Sequence, residues 1–277
     1  MKALVVKVAG GLCNRLRTIA IYKTIAEHLD RHFLLVWPID KPMCFTSFDS
    51  LFDNDFLITP MMEASLRTTT YKEININYGI RGATQYAGRC NASMDYYKDE
   101  HKLGWLPTIK EDTLIVNTIC KFKPKFIDED IFESRFQENL NDLTLKHNIE
   151  KSVIDFVGAN FSEDIVGVHI RRTDRKECFE KSPDALFIER IKKSDKKHFL
   201  ATDSIQTQEK FQKSFGDQIC VYRKTFTNDP MRPSTGIDAA IDLMLLSKTA
   251  SLLGSYGSSF SYIASRFRDI PFEEVSV

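Results

Sequence analysis

Residues 166–174 read VGVHIRRTD, an apolar run that passes directly into two adjacent arginines. The β-branched residues of this run predict a buried strand, so Arg171 and Arg172 stand at its carboxyl end. Ligands of open α/β sheets bind at that edge, and two guanidinium groups there favour an anion, most simply a phosphate. The alternative is that both arginines are surface charges paired with Asp174 or Glu177.

Strands and helices alternate outward from this stretch. Residues 3–8 and 33–37 read as strands on either side of a glycine turn and a helix over 14–28, which is typical of the opening of a Rossmann-like half. After residue 170, further strands at 198–202, 219–222 and 251–254 alternate with helical segments. Because parallel strands need helical crossovers, we predict an α/β fold with two Rossmann-like domains, residues 1–150 and 151–277.

Composition excludes several classes of protein. The chain has 277 residues, 43% hydrophobic and 27% charged, which is typical of a globular protein with a substantial core. Its 38 basic and 38 acidic residues cancel, so no overall field favours nucleic acid or an anionic membrane surface. An apolar run of about 18 residues for a membrane span is missing. Lys7 interrupts the short apolar start, so we expect no signal peptide and a cytoplasmic protein.

Cysteine spacing also bears on the chemistry. The six cysteines are spread along the chain without a CxxC pair, which argues against a zinc site and a disulfide framework. Free thiols in a reducing compartment fit best.

Glycine and serine mark two loops that follow predicted strands. The turn at Gly10 and Gly11 lacks the GxGxxG spacing of dinucleotide-binding proteins and is not a Walker loop, which disfavours a nicotinamide or flavin enzyme. These glycines either let backbone amides approach an anion, or they are needed only because a tight turn requires dihedral angles that glycine adopts readily. The second loop, GSYGSSF at 254–260, has the composition of a phosphate cradle, and its alternative role is a helix cap at Ser258 or Ser259.

Asp242 stands on an otherwise apolar helix, one turn after Asp238. A carboxylate in such surroundings is costly unless it meets a donor. A purine base edge or a ribose would supply one, and so would a buried cap or ion pair.

As an ordered set, these motifs resemble the fucosyltransferase superfamily, which includes the α-1,2, α-1,6 and protein O-fucosyltransferases. The matching stretches are GGLCNR at 10–15, HIRRTD at 169–174, LATDS at 200–204 and the segment 242–260, whereas residues 42–160 are roughly uncovered. The resemblance implies a GT-B architecture in which two Rossmann-like domains face each other across a cleft. It also implies inverting transfer from GDP-fucose to a glycan hydroxyl, without a cofactor or a metal.

The resemblance assigns roles to individual residues. Arg171 would bind the donor pyrophosphate with Arg172 beside it, and His169 and Asp242 would meet the guanine. Asp203 would help to hold the nucleotide. The remaining donor contacts would come from Gly11, Asn14, Ser258, Ser259 and Phe260.

The catalytic base is not identified by the resemblance. In the α-1,6 enzymes a glutamate somewhat beyond the arginines is a candidate base, and the matching place here holds Phe179, with Glu177 and Glu180 near but not aligned. Deprotonation of the acceptor hydroxyl needs a carboxylate or an imidazole, and the candidates are Asp174, Glu177 and Asp40. The predicted catalytic set is Arg171, Asp174 and Glu177.

Two other functions stay open. One is a transferase of the same fold that uses another UDP- or GDP-linked sugar, and the other is a carbohydrate-binding protein without catalysis. Four aromatic residues either stack on acceptor sugars or belong to the core and its rim: Tyr86, Tyr96, Tyr97 and Trp105.

Overall fold

The structure is a computed structural model that describes residues 2–39, 43–77, 93–95, 106–119, 123–173, 175–227 and 233–277. It divides into two compact units. The first unit consists of Met1–Met43 and Ser47–Thr144, and the second of Cys44–Thr46 and Leu145–Val277. The sequence predicts a domain boundary after residue 150.

The first unit is built on a parallel five-stranded sheet. The strands are β1 (Ala3–Val8), β2 (His32–Val36), β3 (Tyr71–Asn77), β4 (Ser93–Asp95) and β5 (Thr113–Thr118), in the order β2-β1-β5-β3-β4. The α-helices in the described part of this unit are α1 (Leu12–His28), α2 (Pro60–Leu66) and α3 (Glu129–Asn141). The predicted opening strand, helix and second strand are therefore confirmed, with bounds shifted by one or two residues.

The turn between β1 and α1 is held by a buried arginine. Gly10 has a φ of +84°, a left-handed conformation that favours glycine. Arg15 donates from Nε to the Gly10 carbonyl at 2.7 Å and from Nη1 to the Pro38 carbonyl at 2.6 Å. Its guanidinium also lies over the Trp37 ring, 4.7 Å from the centroid. Arg15 thus ties the loop after β1 to the end of β2.

The second unit contains another parallel five-stranded sheet. Its strands are β6 (Val166–Ile170), β7 (His198–Thr202), β8 (Ile219–Cys220), β9 (Ser251–Ser255) and β10 (Phe272–Val275), in the order β10-β9-β6-β7-β8. The helices are α4 (His147–Asn160), α5 (Lys176–Lys181), α6 (Asp184–Lys192), α7 (Ile205–Phe215), α8 (Gly236–Ser247) and α9 (Ser259–Arg266). The sequence analysis did not predict the edge strand β10.

The strand order of the second unit determines where a ligand would bind. β6 is the central strand, with all five residues buried, and it pairs in parallel with β7 on one side and β9 on the other. The chain therefore reverses its winding direction next to β6, and open α/β sheets bind ligands at the carboxyl ends of strands at such a point. Within the described ranges, no helix combines the length and apolar character that a bilayer-spanning segment needs.

Candidate active site at the carboxyl ends of the second sheet

Two side-chain oxygens connect the ends of the three central strands. The Ser255 hydroxyl at the end of β9 accepts from the Arg171 main-chain N–H at 3.0 Å and donates to the His169 carbonyl at 3.3 Å. On the other side, Asp203 after β7 accepts from the Arg172 main-chain N–H at 2.6 Å. The loop that follows β6 is thus fixed from both neighbouring strands.

Asp203 fixes more than one atom of that loop. Its second carboxylate oxygen accepts from the Thr173 hydroxyl, also at 2.6 Å. Charge-assisted hydrogen bonds of this length are among the stronger polar contacts in proteins. Asp203, to which the resemblance assigns a role in nucleotide binding, therefore holds the main chain that carries both arginines.

The Arg172 guanidinium is bound by protein acceptors. Nε and Nη2 donate to Asp184 at 3.0 and 2.7 Å, Nη2 to the Ser182 carbonyl at 2.7 Å, and Nη1 to the Arg171 carbonyl at 2.8 Å. Burial acts to raise the pKa of the Asp184 carboxyl, but hydrogen bonds from Lys210 and Arg172 hold that pKa below its ordinary value. With 12% of its side chain exposed, Arg172 joins β6 to the start of α6.

Arg171 directly follows β6. Its main chain is fixed by Ser255, whereas the residue as a whole stays partly exposed at the strand end. Glu177, the described candidate for the base, is 65% exposed and accepts from Arg175 at 3.4 Å. The other two candidate bases, Asp40 and Asp174, lie outside the described residues, as do Tyr86, Tyr96, Tyr97 and Trp105.

His169 is a buried residue of β6, two positions before Arg171. Its Nδ1 lies 2.8 Å from the Ser261 hydroxyl and 3.5 Å from the Ser258 hydroxyl, and its ring stacks on Phe260 with 4.7 Å between centroids. Burial, together with the charges of Arg171, Lys224 and Arg172, lowers the pKa of His169 to about 3. The imidazole is therefore neutral at physiological pH.

The loop after β9 is held through its main chain. The Tyr256 N–H donates to the Ser182 hydroxyl at 2.8 Å. Gly257, with a φ of +57°, donates its N–H to Glu274 at 2.7 Å and accepts from Arg175 at 2.7 Å. The side chains of α5, β10 and the turn before α6 therefore set the conformation of this loop.

The loop leads directly into α9. Ser258 occupies the position before the helix, but its side chain makes no capping hydrogen bond, and Ser259 and Phe260 are the first helical residues. Gly254 permits α9 to approach closely, because a Cβ there would lie 2.4 Å from the Ser261 Cβ. The first turn of α9 is thus placed beside His169, and unsatisfied N–H groups at a helix start favour an anion.

Asp242 forms a buried ion pair. Lys224 donates to its Oδ2, and the side chains of Lys224 and Asp242 are 1% and 6% exposed, respectively. Oδ1 is enclosed and has no hydrogen-bond partner among the described residues. Burial raises the pKa of the Asp242 carboxyl, and the charge of Lys224 opposes that rise.

The sequence left an ion pair open for Asp242 without naming Lys224. The only signal was that so apolar a helix requires a donor. The structural roles of Ser182, Asp184 and Glu274 were also missed, because each of them bonds a residue distant in the sequence.

Gly11 and Asn14 belong to the first unit. Gly11 precedes α1 with an extended backbone, and the Asn14 Oδ1 accepts from Arg17 at 2.8 Å. In the part of the chain that the structure describes, no group of three or more histidine, cysteine, aspartate or glutamate side chains is arranged to hold a metal ion. Cys13, Cys44, Cys178 and Cys220 are not joined by disulfide bonds.

No family model and no curated protein matches this sequence. Among solved structures, the α-1,6-fucosyltransferase NodZ soaked with GDP-fucose is similar at 17% identity and a TM-score of 0.66, over 99% of this chain and 95% of NodZ, an enzyme from Bradyrhizobium. POFUT1 in complex with GDP-fucose is 14% identical with a TM-score of 0.64, over 99% of each chain. A mutant of Arabidopsis thaliana FUT1 in complex with GDP gives 15% and 0.62, over 98% of this chain and 70% of FUT1.

These similarities cover nearly the whole chain, including the segment that the sequence motifs left uncovered. The chain therefore has the α/β fold of the GT-B fucosyltransferases. The predicted fold class and the fold-level resemblance to that superfamily are confirmed.

Proposed function

We propose that this protein is a glycosyltransferase that transfers L-fucose from GDP-fucose to a glycan hydroxyl, with inversion and without a metal ion. The observation that carries the proposal is the set of groups at the carboxyl edge of the second sheet. An arginine at a strand end, the start of α9 and an enclosed carboxylate oxygen offer what a diphosphate and a guanine base would bind. NodZ and POFUT1, which share the fold, have structures with GDP-fucose.

Arg171 would bind the diphosphate. Glycosyl transfer passes through an oxocarbenium-like state while negative charge accumulates on the departing diphosphate. A preorganised cation strengthens its contact as that charge grows, which lowers the barrier. The bond from Arg171 N–H to Ser255 fixes the backbone from which the guanidinium extends. Arginine's planar fork can engage two phosphate oxygens at once, which lysine cannot do.

The start of α9 would add neutral donors to the same phosphates. Ser258, Ser259 and Phe260 provide hydroxyl and main-chain N–H groups at a point where the helix dipole favours negative charge. The bonds that hold Tyr256 and Gly257 keep these donors in place before the nucleotide arrives. Such preorganisation lowers the entropic cost of binding.

His169 and Asp242 would meet the guanine. A neutral imidazole adds no charge beside a neutral base, and the enclosed Oδ1 of Asp242 lacks a hydrogen bond that a base N–H can supply. Asp203 and Arg172 would act by holding the loop that carries Arg171. For Gly11 and Asn14 the proposed donor contacts rest on the resemblance alone.

The catalytic base is proposed among Asp174, Glu177 and Asp40. Glu177 is the one of these three that the structure describes, and its carboxylate is open to solvent with Arg175 as a partner. A carboxylate in such a position is open to an acceptor hydroxyl and could accept its proton.

A panel of nucleotides and nucleotide sugars tests this function. We expect calorimetric titration to give tighter binding of GDP than of UDP, and we expect slow hydrolysis of GDP-fucose that a chelator does not change. A preference for UDP and UDP-sugars would instead support a transferase of the same fold with another donor. Binding of free glycans without binding of any nucleotide would contradict both transferase functions and indicate a carbohydrate-binding protein.

A further inference from the structure

Lys224 and Asp242 form the most deeply buried ion pair among the described residues, with 1% and 6% of their side chains exposed. Lysine is almost never fully buried unless it is paired. Removing two charges from water costs several kcal/mol per ion, and an apolar pair of similar volume usually stabilises a fold at least as well. Stability alone is therefore a poor explanation for this pair.

The pair leaves one acceptor unsatisfied. Lys224 takes Oδ2, while Oδ1 has no hydrogen-bond partner among the described residues. A buried acceptor without a partner is costly, and a ligand donor that reaches it removes that cost. Of the two Asp242 oxygens, Oδ2 thus has its hydrogen-bond donor in Lys224, whereas Oδ1 still lacks one.

The surrounding charges show what Lys224 contributes. Lys224 and Asp238 are the charged groups that act on the Asp242 carboxyl, and the negative Asp238 adds to the effect of burial. From β6, the neutral His169 ring also experiences the charge of Lys224. Without the lysine, burial and Asp238 would both favour a protonated Asp242. An ionised carboxylate only accepts hydrogen bonds, whereas a protonated one also donates.

We propose that Lys224 is a positioning residue that fixes Asp242 as a pure acceptor and thereby sets the preference of this site for guanine. The inference rests on the proposed function, since it concerns the nucleotide of that site. On the pairing edge of guanine N1 carries a hydrogen, whereas in adenine N1 is an acceptor. An ionised carboxylate that meets N1 accepts from guanine but repels the lone pair of adenine, whereas a carboxylic acid can donate to that lone pair.

The test is calorimetric titration of the full chain with GDP and with ADP between pH 6 and 9. We expect Lys224→Met to weaken GDP binding about tenfold or more at pH 7, the size of one charge-assisted hydrogen bond, and to narrow the preference for GDP over ADP. GDP binding by this variant should recover as the pH rises and Asp242 ionises. Lys224→Arg, which keeps the charge, should stay close to the wild type.

Lys193→Met is the matched control, because it removes one lysine from an exposed ion pair with Glu189. The inference would be overturned if Lys224→Met and the control showed the same ratio of GDP to ADP affinity and the same pH profile of binding. The proposed function would then remain intact. Absence of GDP binding by the wild type would overturn both.

A second variant covers the case in which Lys224→Met does not fold. Lys224→Met combined with Asp242→Asn buries no unpaired charge. We expect this double variant to bind GDP about tenfold more weakly than the wild type. Its GDP affinity should not approach that of the wild type at high pH. Wild-type affinity and base preference in the double variant would contradict the role of the pair.

Discussion

Arg171 and Arg172 are adjacent in the sequence, yet we expect different consequences from the same substitution at the two positions. Arg172→Lys should lower the stability of the fold and leave much of the nucleotide affinity of the folded protein. Arg171→Lys should weaken GDP binding and turnover. The first expectation follows from the protein acceptors of the Arg172 guanidinium, and the second from the diphosphate contact proposed for Arg171.

The size of each effect can be worked from the contacts. The Arg172 guanidinium makes four hydrogen bonds to three protein groups, and the side chain is 12% exposed, so solvent screens it little. A lysine keeps the charge toward Asp184 but loses about two of these bonds, at about 1 kcal/mol each. The free energy of unfolding should fall by about 2 kcal/mol. For Arg171→Lys, loss of one of two bonds to the diphosphate costs about 1.5–3 kcal/mol, or about 10- to 150-fold in GDP affinity.

Urea unfolding and calorimetric titration with GDP measure the two effects on the same preparations. Arg135→Lys is the control, since Arg135 makes an exposed ion pair with Glu138 in the first unit. If Arg172→Lys loses GDP binding at unchanged stability, Arg172 is a direct nucleotide ligand, as the sequence predicted. Near-normal binding and transfer by Arg171→Lys would refute the central role of that residue.

Two further predictions follow from His169 and Glu274. The pKa of His169 is lowered to about 3 from an ordinary 6.5, so the unfolded chain binds a proton that the folded state does not as the pH falls between these values. The contribution of neutral His169 to the free energy of unfolding should therefore be fully present above pH 6.5. On acidification it should fall by up to about 1.4 kcal/mol per pH unit, and His169→Asn should remove this part of the pH dependence. Urea unfolding between pH 5 and 7, with His32→Asn on the exposed end of β2 as the control, checks this; parallel curves for the wild type and His169→Asn would contradict it. Glu274 accepts from the Gly257 N–H at 2.7 Å, so Glu274→Ala should weaken GDP binding about threefold to tenfold, whereas Glu274→Gln keeps an acceptor oxygen and should bind like the wild type. Calorimetric titration of both variants with GDP measures this difference. Equal GDP affinities of the alanine and glutamine variants would show that the Glu274 bond does not support the loop.

The strand ends were predictable because their signals are local. The run from Val166 to Ile170 has the composition of a buried strand, and the polar residues that follow it must therefore lie at the strand tip. The same logic located the loop after Leu253 and the helix that carries Asp242. Parallel pairing then brings these ends to one edge without further information.

The division of labour among those residues could not be predicted. Nothing in the two letters RR shows that Arg172 is bonded to Ser182 and Asp184, because the turn after α5 and the start of α6 bring these two residues to it. Lys224 follows a two-residue strand and belongs to no periodic pattern. Its pairing with Asp242 depends on packing between elements that the sequence shows only as separate segments.

The strand β10 lies at the edge of its sheet, with β9 as its neighbour, and it also supports the loop before α9. Ser182 donates to the Val275 carbonyl at 2.6 Å while accepting from Tyr256, so one hydroxyl links this edge to the loop. Edge strands have one row of ladder bonds and fray before central ones. Warming should therefore loosen the loop before α9 sooner than the central strands of the sheet, so four residues at the margin of the fold would set the temperature at which that loop loses its order.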